Sequence, residues 1–447
     1  MERPALGLQS HGRPIDACDN AAVSRAAPHC ERRLRRHLGA ILVTVLAVGC
    51  GNQSGSPSAT ASPPPSTGPT PAPTATPKPE EVYAAIKQSV IDIRGLQPKR
   101  DIDPQILDET ELGKRVKDAF NRDNPPEIVR ANERLLKGLD LLPEDASLAT
   151  MFVDMQSSQV AGYYDPDAKE LFVVSRTGGL GPTERVTFAH EFTHALQDQN
   201  FDLNEFDLAE VGQGDRGLAR LSLIEGDATA VMTVWAQQHL NIVELLQLTQ
   251  EASDPEALRI LEELPPIIRE GALFPYDAGL KFVLALQSSG GEGAVDGAFK
   301  DPPASSEQVM HFEKYEAHEK PVAVAIPTGI AGRLGKGWKE SLQDTLGEFQ
   351  LGVWLRQGTD RATVANDAAA GWGGDRVALY EGPNGAWGIV LMTAWDSEQD
   401  ARDFSDAAAQ TISKNDAVGG INLEGRTVTV VLGSDGDTRD KVTFALR

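Results

Sequence analysis

The chain has 447 residues, with 42 basic against 65 acidic side chains, a formal net charge of −23 and three cysteines. This excess of carboxylates argues against a nucleic-acid partner, whose phosphates call for a basic face. The length suits one large domain or two domains plus exported-protein trimmings, and so few cysteines exclude a disulfide-built scaffold.

Residues 1–49 read as a signal peptide, lengthened at its front in the manner of an over-extended start. Arg32, Arg33, Arg35 and Arg36 precede an apolar run of twelve residues, Leu38 to Gly49, too short to span a bilayer. The run closes on Leu46-Ala47-Val48-Gly49-Cys50, which resembles a bacterial lipobox, so Cys50 is the expected lipidation site and membrane anchor. Without the first 50 residues, which hold seven Arg and four acidic residues, the balance is 35 against 61, or −26. Residues 50–79 form a Ser/Thr/Pro-rich tether, with nine prolines between 51 and 79. The expected setting is extracytoplasmic, at the cell surface or in the periplasm.

From Glu80 to about Asp140 the pattern is helical, with Val82, Ile86, Val90 and Ile93, and then Ile128, Leu135, Leu136 and Leu139, at helical spacing. Gln159 to Tyr164 and Glu170 to Ser175 read as strands of a hairpin turned at Asp165-Pro166-Asp167-Ala168. Its first strand, with Gly162, Tyr163 and Tyr164, is a candidate substrate-binding edge, the alternative being a hairpin that merely covers the core.

The chemistry concentrates in Phe188-Ala189-His190-Glu191-Phe192-Thr193-His194. Positions four apart share a helix face, so His190 and His194 present two imidazoles to one point, as zinc ligation requires, while Glu191 is the candidate general base. Pro182-Thr183-Glu184 supplies the helix start, with Thr183 as the expected cap. A third ligand is expected at Glu225, a charge inside the otherwise apolar helical run Leu221 to Thr229, where it needs a cation. Pairing of Glu225 with Arg220 is the alternative. Gly226 is expected to let this helix approach the motif helix.

Pro255 to Ile268 and Tyr276 to Leu286 read as two further helices, and Pro302-Pro303 leads into a short capped one carrying His311 and Tyr315 on one face. After Pro327, Leu346 to Arg356 is helical. Strands Val377 to Glu381 and Trp387 to Ala394, a helix Glu398 to Ile412, and strands Thr427 to Leu432 and Val442 to Leu446 then give a ββαββ order. Trp372 with the neighbouring Asp375-Arg376 reads as a packed ring beside a structural ion pair.

His190-Glu191-Phe192-Thr193-His194 followed by Glu225-Gly226-Asp227-Ala228 resembles the gluzincin clan of zinc metallopeptidases. The resemblance implies an α+β protein, a mainly helical zincin-like domain with an edge hairpin over residues 80–326 and an accessory α+β domain over 327–447. It implies Zn²⁺ held by His190, His194 and Glu225, hydrolysis of a peptide or protein substrate with Glu191 as base, and a His or Tyr oxyanion donor. His311 is the first candidate donor, Tyr315 or Tyr276 the second. Many gluzincins have Asp four residues after the ligand Glu, where this chain has Thr229. Support for a ligand histidine is then expected from Thr229, Asp198 or a backbone carbonyl. A non-catalytic metal-binding lipoprotein and a cell-wall amidase are the alternatives.

Overall fold

The computed structural model describes residues 78–447, apart from 160, 175–179, 360 and 416–417. The expected signal peptide, Cys50 and nearly all of the tether lie outside those residues. Among the described residues no helix is long and apolar enough to cross a membrane. The protein is α+β, with a small sheet and a larger antiparallel one set among many helices.

Helix α1 (Pro79–Arg94) starts on a proline, with Glu80 and Glu81 complementing the dipole of its first turn, and buries Tyr83, Ile86 and Val90. Strand β1 (Pro104–Leu107) then interrupts the stretch read as continuous helix. Four residues are too few to show a period, and this strand depends on parallel pairing with a segment far along the chain. Helices α2 (Glu109–Asp123), α3 (Pro126–Gly138) and α4 (Leu148–Gln159) follow. The hairpin is β2 (Gly162–Asp165) and β3 (Glu170–Val174). Its first strand begins at Gly162 rather than Gln159, which ends α4.

The small sheet has the order β1-β3-β2, so β2 is an edge. Val174 N–H donates to the Ala161 carbonyl and Lys169 N–H to that of Asp165. Antiparallel pairing alternates, so Tyr163 also bonds toward β3, while Gly162 and Tyr164 turn their main-chain groups to the free side.

Helix α5 (Pro182–Phe201) carries the motif and is buried over nearly all its length. Gly181 is its N-cap and Pro182 its first residue, so Thr183 lies inside the helix and its hydroxyl meets Glu251 instead of capping. Helix α6 (Gly214–His239) crosses beside it, followed by α7 (Ile242–Ala252) and α8 (Pro255–Glu263). Pro265-Pro266 ends the expected Pro255–Ile268 helix early, and α9 (Pro266–Gly290) runs on through Pro275 to include the expected second one. Helices α10 (Glu292–Lys300), α11 (Ser306–Met310), α12 (Phe312–Glu316) and α13 (Ile330–Leu334) complete this part. Ser305 caps α11, but that helix stops before His311, so His311 and Tyr315 do not share one helix face.

The second sheet has the order β4-β5-β6-β8-β7. Strand β4 (Lys339–Asp344) precedes helices α14 (Gly347–Leu355) and α15 (Ala362–Ala369). Strands β5 (Trp372–Glu381) and β6 (Trp387–Trp395), helix α16 (Glu398–Lys414), and strands β7 (Val418–Glu424) and β8 (Thr427–Gly433) keep the ββαββ order. The final strand pair differs from expectation, because β8 pairs with β7 and Val442 to Ala445 is helical, with Leu446 as the C-cap. Asp435 accepts a hydrogen bond from Thr438 N–H and starts α17 (Gly436–Ala445), whose Val442 faces the core. One apolar cluster joins Leu135, Leu223 and Phe282 to Trp354, Trp372, Leu379 and Phe404, so packing is continuous across the expected 326/327 boundary.

Candidate metal centre

Helical spacing on α5 brings the His190 and His194 Nε2 atoms to 3.0 Å. Glu225, reaching across from α6, has its Oε2 at 3.4 Å from the first and 3.6 Å from the second. Donors around a tetrahedral zinc with bonds of about 2.0–2.1 Å lie about 3.3 Å apart, so two imidazoles and one carboxylate fit that ion in kind and spacing. A second acidic group, Glu307, Glu319 and Asp396, also converges. There the Lys314 ammonium already stands 2.6–2.9 Å from all three carboxylates and occupies the position a metal would take, offsetting one of their charges.

His190, His194, Glu225 and Glu191 are each at most 1% exposed. Burial lowers the basicity of His190, against the pull of Glu225. For His194 burial acts the same way, but Glu225 and then Glu191 outweigh it and carry the imidazole up to about 9. Burial would raise Glu225, and His194 and His190 overcome it to hold the carboxyl below its ordinary value. Glu191 goes up to about 8, driven by burial and opposed first by His194. Neither Glu191 oxygen makes a well-formed hydrogen bond among the described residues, although the Tyr164 backbone borders the carboxylate. A buried carboxylate without well-formed hydrogen bonds is costly, and a cation held between the neighbouring side chains would offset that cost.

His194 is held by a buried polar chain. Its Nδ1 lies 2.8 Å from Gln197 Oε1, an acceptor, so Nδ1 carries the proton and Nε2 is left to ligate. The Gln197 amide donates to Asp227 Oδ2 at 2.9 Å and to the Ile224 carbonyl at 3.0 Å, which fixes its orientation. Arg94, at the end of α1 and fully buried, donates to Asp227 at 2.9 Å and meets Asp296 and Glu292 on its other side. The expected supports lie elsewhere. Asp198 binds the Tyr164 hydroxyl and Lys169, and the Thr229 hydroxyl has no partner among the described residues. Gln197 was legible as a residue one turn after His194, whereas Arg94 carries no local sign of its role.

Gly226 allows a close approach, but to α9 instead of the motif helix. A Cβ on Gly226 would lie 2.2 Å from the Gly279 carbonyl oxygen, and one on Gly279 would lie 2.1 Å from that of Ser222. This contact seats α9 so that the Tyr276 ring lies 6.3 Å from the His190 ring. On the opposite side, β2 lies against Glu191: a Cβ on Gly162 would be 2.8 Å from Thr187 Cγ2 and 3.4 Å from Glu191 Cγ.

The other expected residues have different partners. His311 Nε2 is 2.8 Å from Glu348 Oε1 on α14, and that carboxylate raises its pKa. The Tyr315 hydroxyl donates to the Asp301 carbonyl at 2.9 Å, with its ring edge-on to Phe282. Tyr163 stacks on Phe172, away from Glu191. Arg376 reaches the Gly212 carbonyl instead of pairing with Asp375, which accepts from Leu346 N–H, Gly347 N–H and Trp372 Nε1–H.

Residues 333–444 match the family model described as a domain of unknown function, DUF8575. No curated protein and no solved structure matches the chain. The matched segment runs from α13 into α17 and contains none of the metal-centre residues.

Proposed function

We propose that this protein is a zinc-dependent peptidase of gluzincin type, with a zincin-like arrangement of α5, α6 and the β2 edge. The observation that carries the reading is Glu191, a buried carboxylate without a well-formed hydrogen bond among the described residues, beside three convergent ligand atoms and the free side of an edge strand. A site that only stabilises the fold has no use for such a group. His190, His194 and Glu225 would hold the ion, which supplies Lewis acidity that polarises a carbonyl and makes water easier to deprotonate.

The remaining chemistry belongs to the chain. The outward main-chain groups of Gly162 and Tyr164 can pair with an extended peptide and orient its scissile amide over α5. Glu191 takes a proton from the attacking water and returns it to the departing amine nitrogen. Tyr276, whose ring lies 6.3 Å from that of His190, would serve the oxyanion in preference to His311, which Glu348 holds, and Tyr315, which bonds the Asp301 carbonyl. Gln197, Asp227 and Arg94 hold His194 in the ligating tautomer.

Full burial of the ligands also suits a purely structural metal, and one experiment separates the readings. Metal analysis and digestion of a mixed-peptide library are run on wild type and Glu191→Gln. The peptidase reading expects both proteins to hold one zinc and the variant to lose about 10²- to 10⁴-fold in rate. Equal rates would remove Glu191 as the base and sink this peptidase reading, and no cleavage by the zinc-loaded wild type would favour the non-catalytic alternative. Cleavage of cell-wall peptide alone would favour the amidase. Export and lipidation at Cys50 belong to the same proposal and are read from membrane fractionation of wild type against Cys50→Ser.

A further inference from the structure

One turn and a half beyond His194, the C-terminal end of α5 forms a wall of a cavity of about 760 Å³. Its lining includes Lys99, Arg100, Lys169 and Lys300, with the stacked rings of Phe201 and Phe299 beneath them, 4.6 Å apart. The chain has 65 acidic side chains against 42 basic ones, so four cations around one concavity run against its overall charge. Two carboxylates line it as well: Lys169 lies 2.8 Å from Asp198 and 4.0 Å from Asp202, so the lining keeps an excess of two positive charges. Among the described residues Lys99, Arg100 and Lys300 have no carboxylate partner.

A second observation points the same way. Gln199 accepts hydrogen bonds from the backbone N–H groups of Lys99 and Arg100 through Oε1, at 2.6 and 2.9 Å. Those two donors fix the amide orientation and leave its Nε2 group covered and without an acceptor. The cations line the concavity and the unmet N–H donor lies covered behind its wall, and what complements both is an anion.

The cavity is also coupled to the β2 edge. The Tyr164 hydroxyl donates to Asp198 at 2.7 Å and receives Arg100 at 3.2 Å, while the Tyr164 backbone borders Glu191 on the free side of the strand. Strand and helix run in the same direction, since Gly162 lies at Thr187 and Tyr164 at Asp198. From Glu191 to Gln199 is about 12 Å along α5, which an extended peptide covers in three to four residues.

We propose that this cavity is a subsite for an acidic side chain of the substrate, three to four residues from the bond presented to Glu191. The inference rests on the peptidase reading for its substrate class, and its test has an arm that does not need hydrolysis. Two fluorescent decapeptide pools of mixed sequence are used, identical except that one carries Glu and the other Gln at every fourth position. Binding to the full-length Glu191→Gln protein is measured by anisotropy, and cleavage by the zinc-loaded wild type by mass spectrometry. The Glu pool should bind and be cut about 10-fold better. That ratio should fall toward one in Lys99→Gln/Lys300→Gln and persist in Lys99→Arg/Lys300→Arg. Both lysines are exposed, so these variants test charge rather than folding. Preferential, lysine-dependent binding without any cleavage would uphold the anionic subsite and remove the peptidase reading. Equal binding of the two pools would overturn the subsite, whatever the cleavage result.

Discussion

Replacing Gly226 by alanine tests how the helix contact builds the metal centre. The added methyl would stand 2.2 Å from the Gly279 oxygen and 2.3 Å from its carbonyl carbon, about 1 Å inside van der Waals contact. The obstacle is backbone, so no rotamer change relieves it, and α6 must move from α9 by about that amount. Overpacking of this kind costs about 1–3 kcal/mol, against up to about 1 kcal/mol gained from alanine's better helix propensity. The net expectation is a loss of about 1–2 kcal/mol. Glu225 immediately precedes the clash, and ligand geometry tolerates only about 0.2 Å, so zinc affinity should fall by 10-fold or more. Urea unfolding of the metal-free protein gives the first quantity, and competition with a chelator gives the second. Gly271→Ala, on α9 with nothing within 4 Å of the new methyl, is the control and should be neutral or slightly stabilising. Wild-type stability together with wild-type zinc affinity in Gly226→Ala would refute the argument that this contact positions the ligand.

The remaining expectations concern charge and the reacting groups. Arg94→Met leaves Asp227 buried and uncompensated and should cost about 3–5 kcal/mol, with partial recovery in Arg94→Met/Asp227→Asn, both read from urea unfolding. Burial pushes Glu307 up to about 7 against the ion pair with Lys314. Its folded state then holds the proton more tightly than the unfolded chain, so its contribution to stability falls as pH rises from about 4.5 to about 7. Glu307→Gln should therefore gain on wild type by on the order of 2 kcal/mol between pH 5 and pH 8 in paired thermal melts, and an unchanged difference would refute the shift. Tyr276→Phe should keep one zinc per chain while turnover of a cleaved peptide drops about 10²- to 10³-fold, whereas His311→Ala should leave that rate nearly unaltered.

How much of this was legible in the chain follows from the range of the interactions involved. His190 and His194 meet because of a four-residue spacing that any α-helix enforces, and Glu225 stood out as a charge inside an apolar run. Both are local signals. The hairpin was likewise legible from its Asp165-Pro166-Asp167 turn, where Asp165 caps two backbone N–H groups. Strand β1 and the pairing of β7 with β8 were not, because a four-residue strand and a Gly419-Gly420 segment have no pattern apart from their partners. Val442 to Leu446 alternates well enough to read as a strand, yet the Asp435 cap upstream commits it to helix.

The donor assignment shows the same limit in a sharper form. His311 was the first candidate by resemblance to the His and Tyr donors of gluzincins, and that resemblance says nothing about where this fold puts the residue. A carboxylate on α14, 37 residues later, captured it. Tyr276 comes beside His190 through a contact between two glycines 53 positions apart, which no single-chain periodicity reports. Arg94 is more remote still, 133 residues from the Asp227 that it neutralises. The buried chain from Arg94 to Gln197 therefore makes the orientation of His194 that metal ligation would require depend on α1 being docked. Ligand spacing is written into one helix, and its chemical usefulness is written into the packing of three.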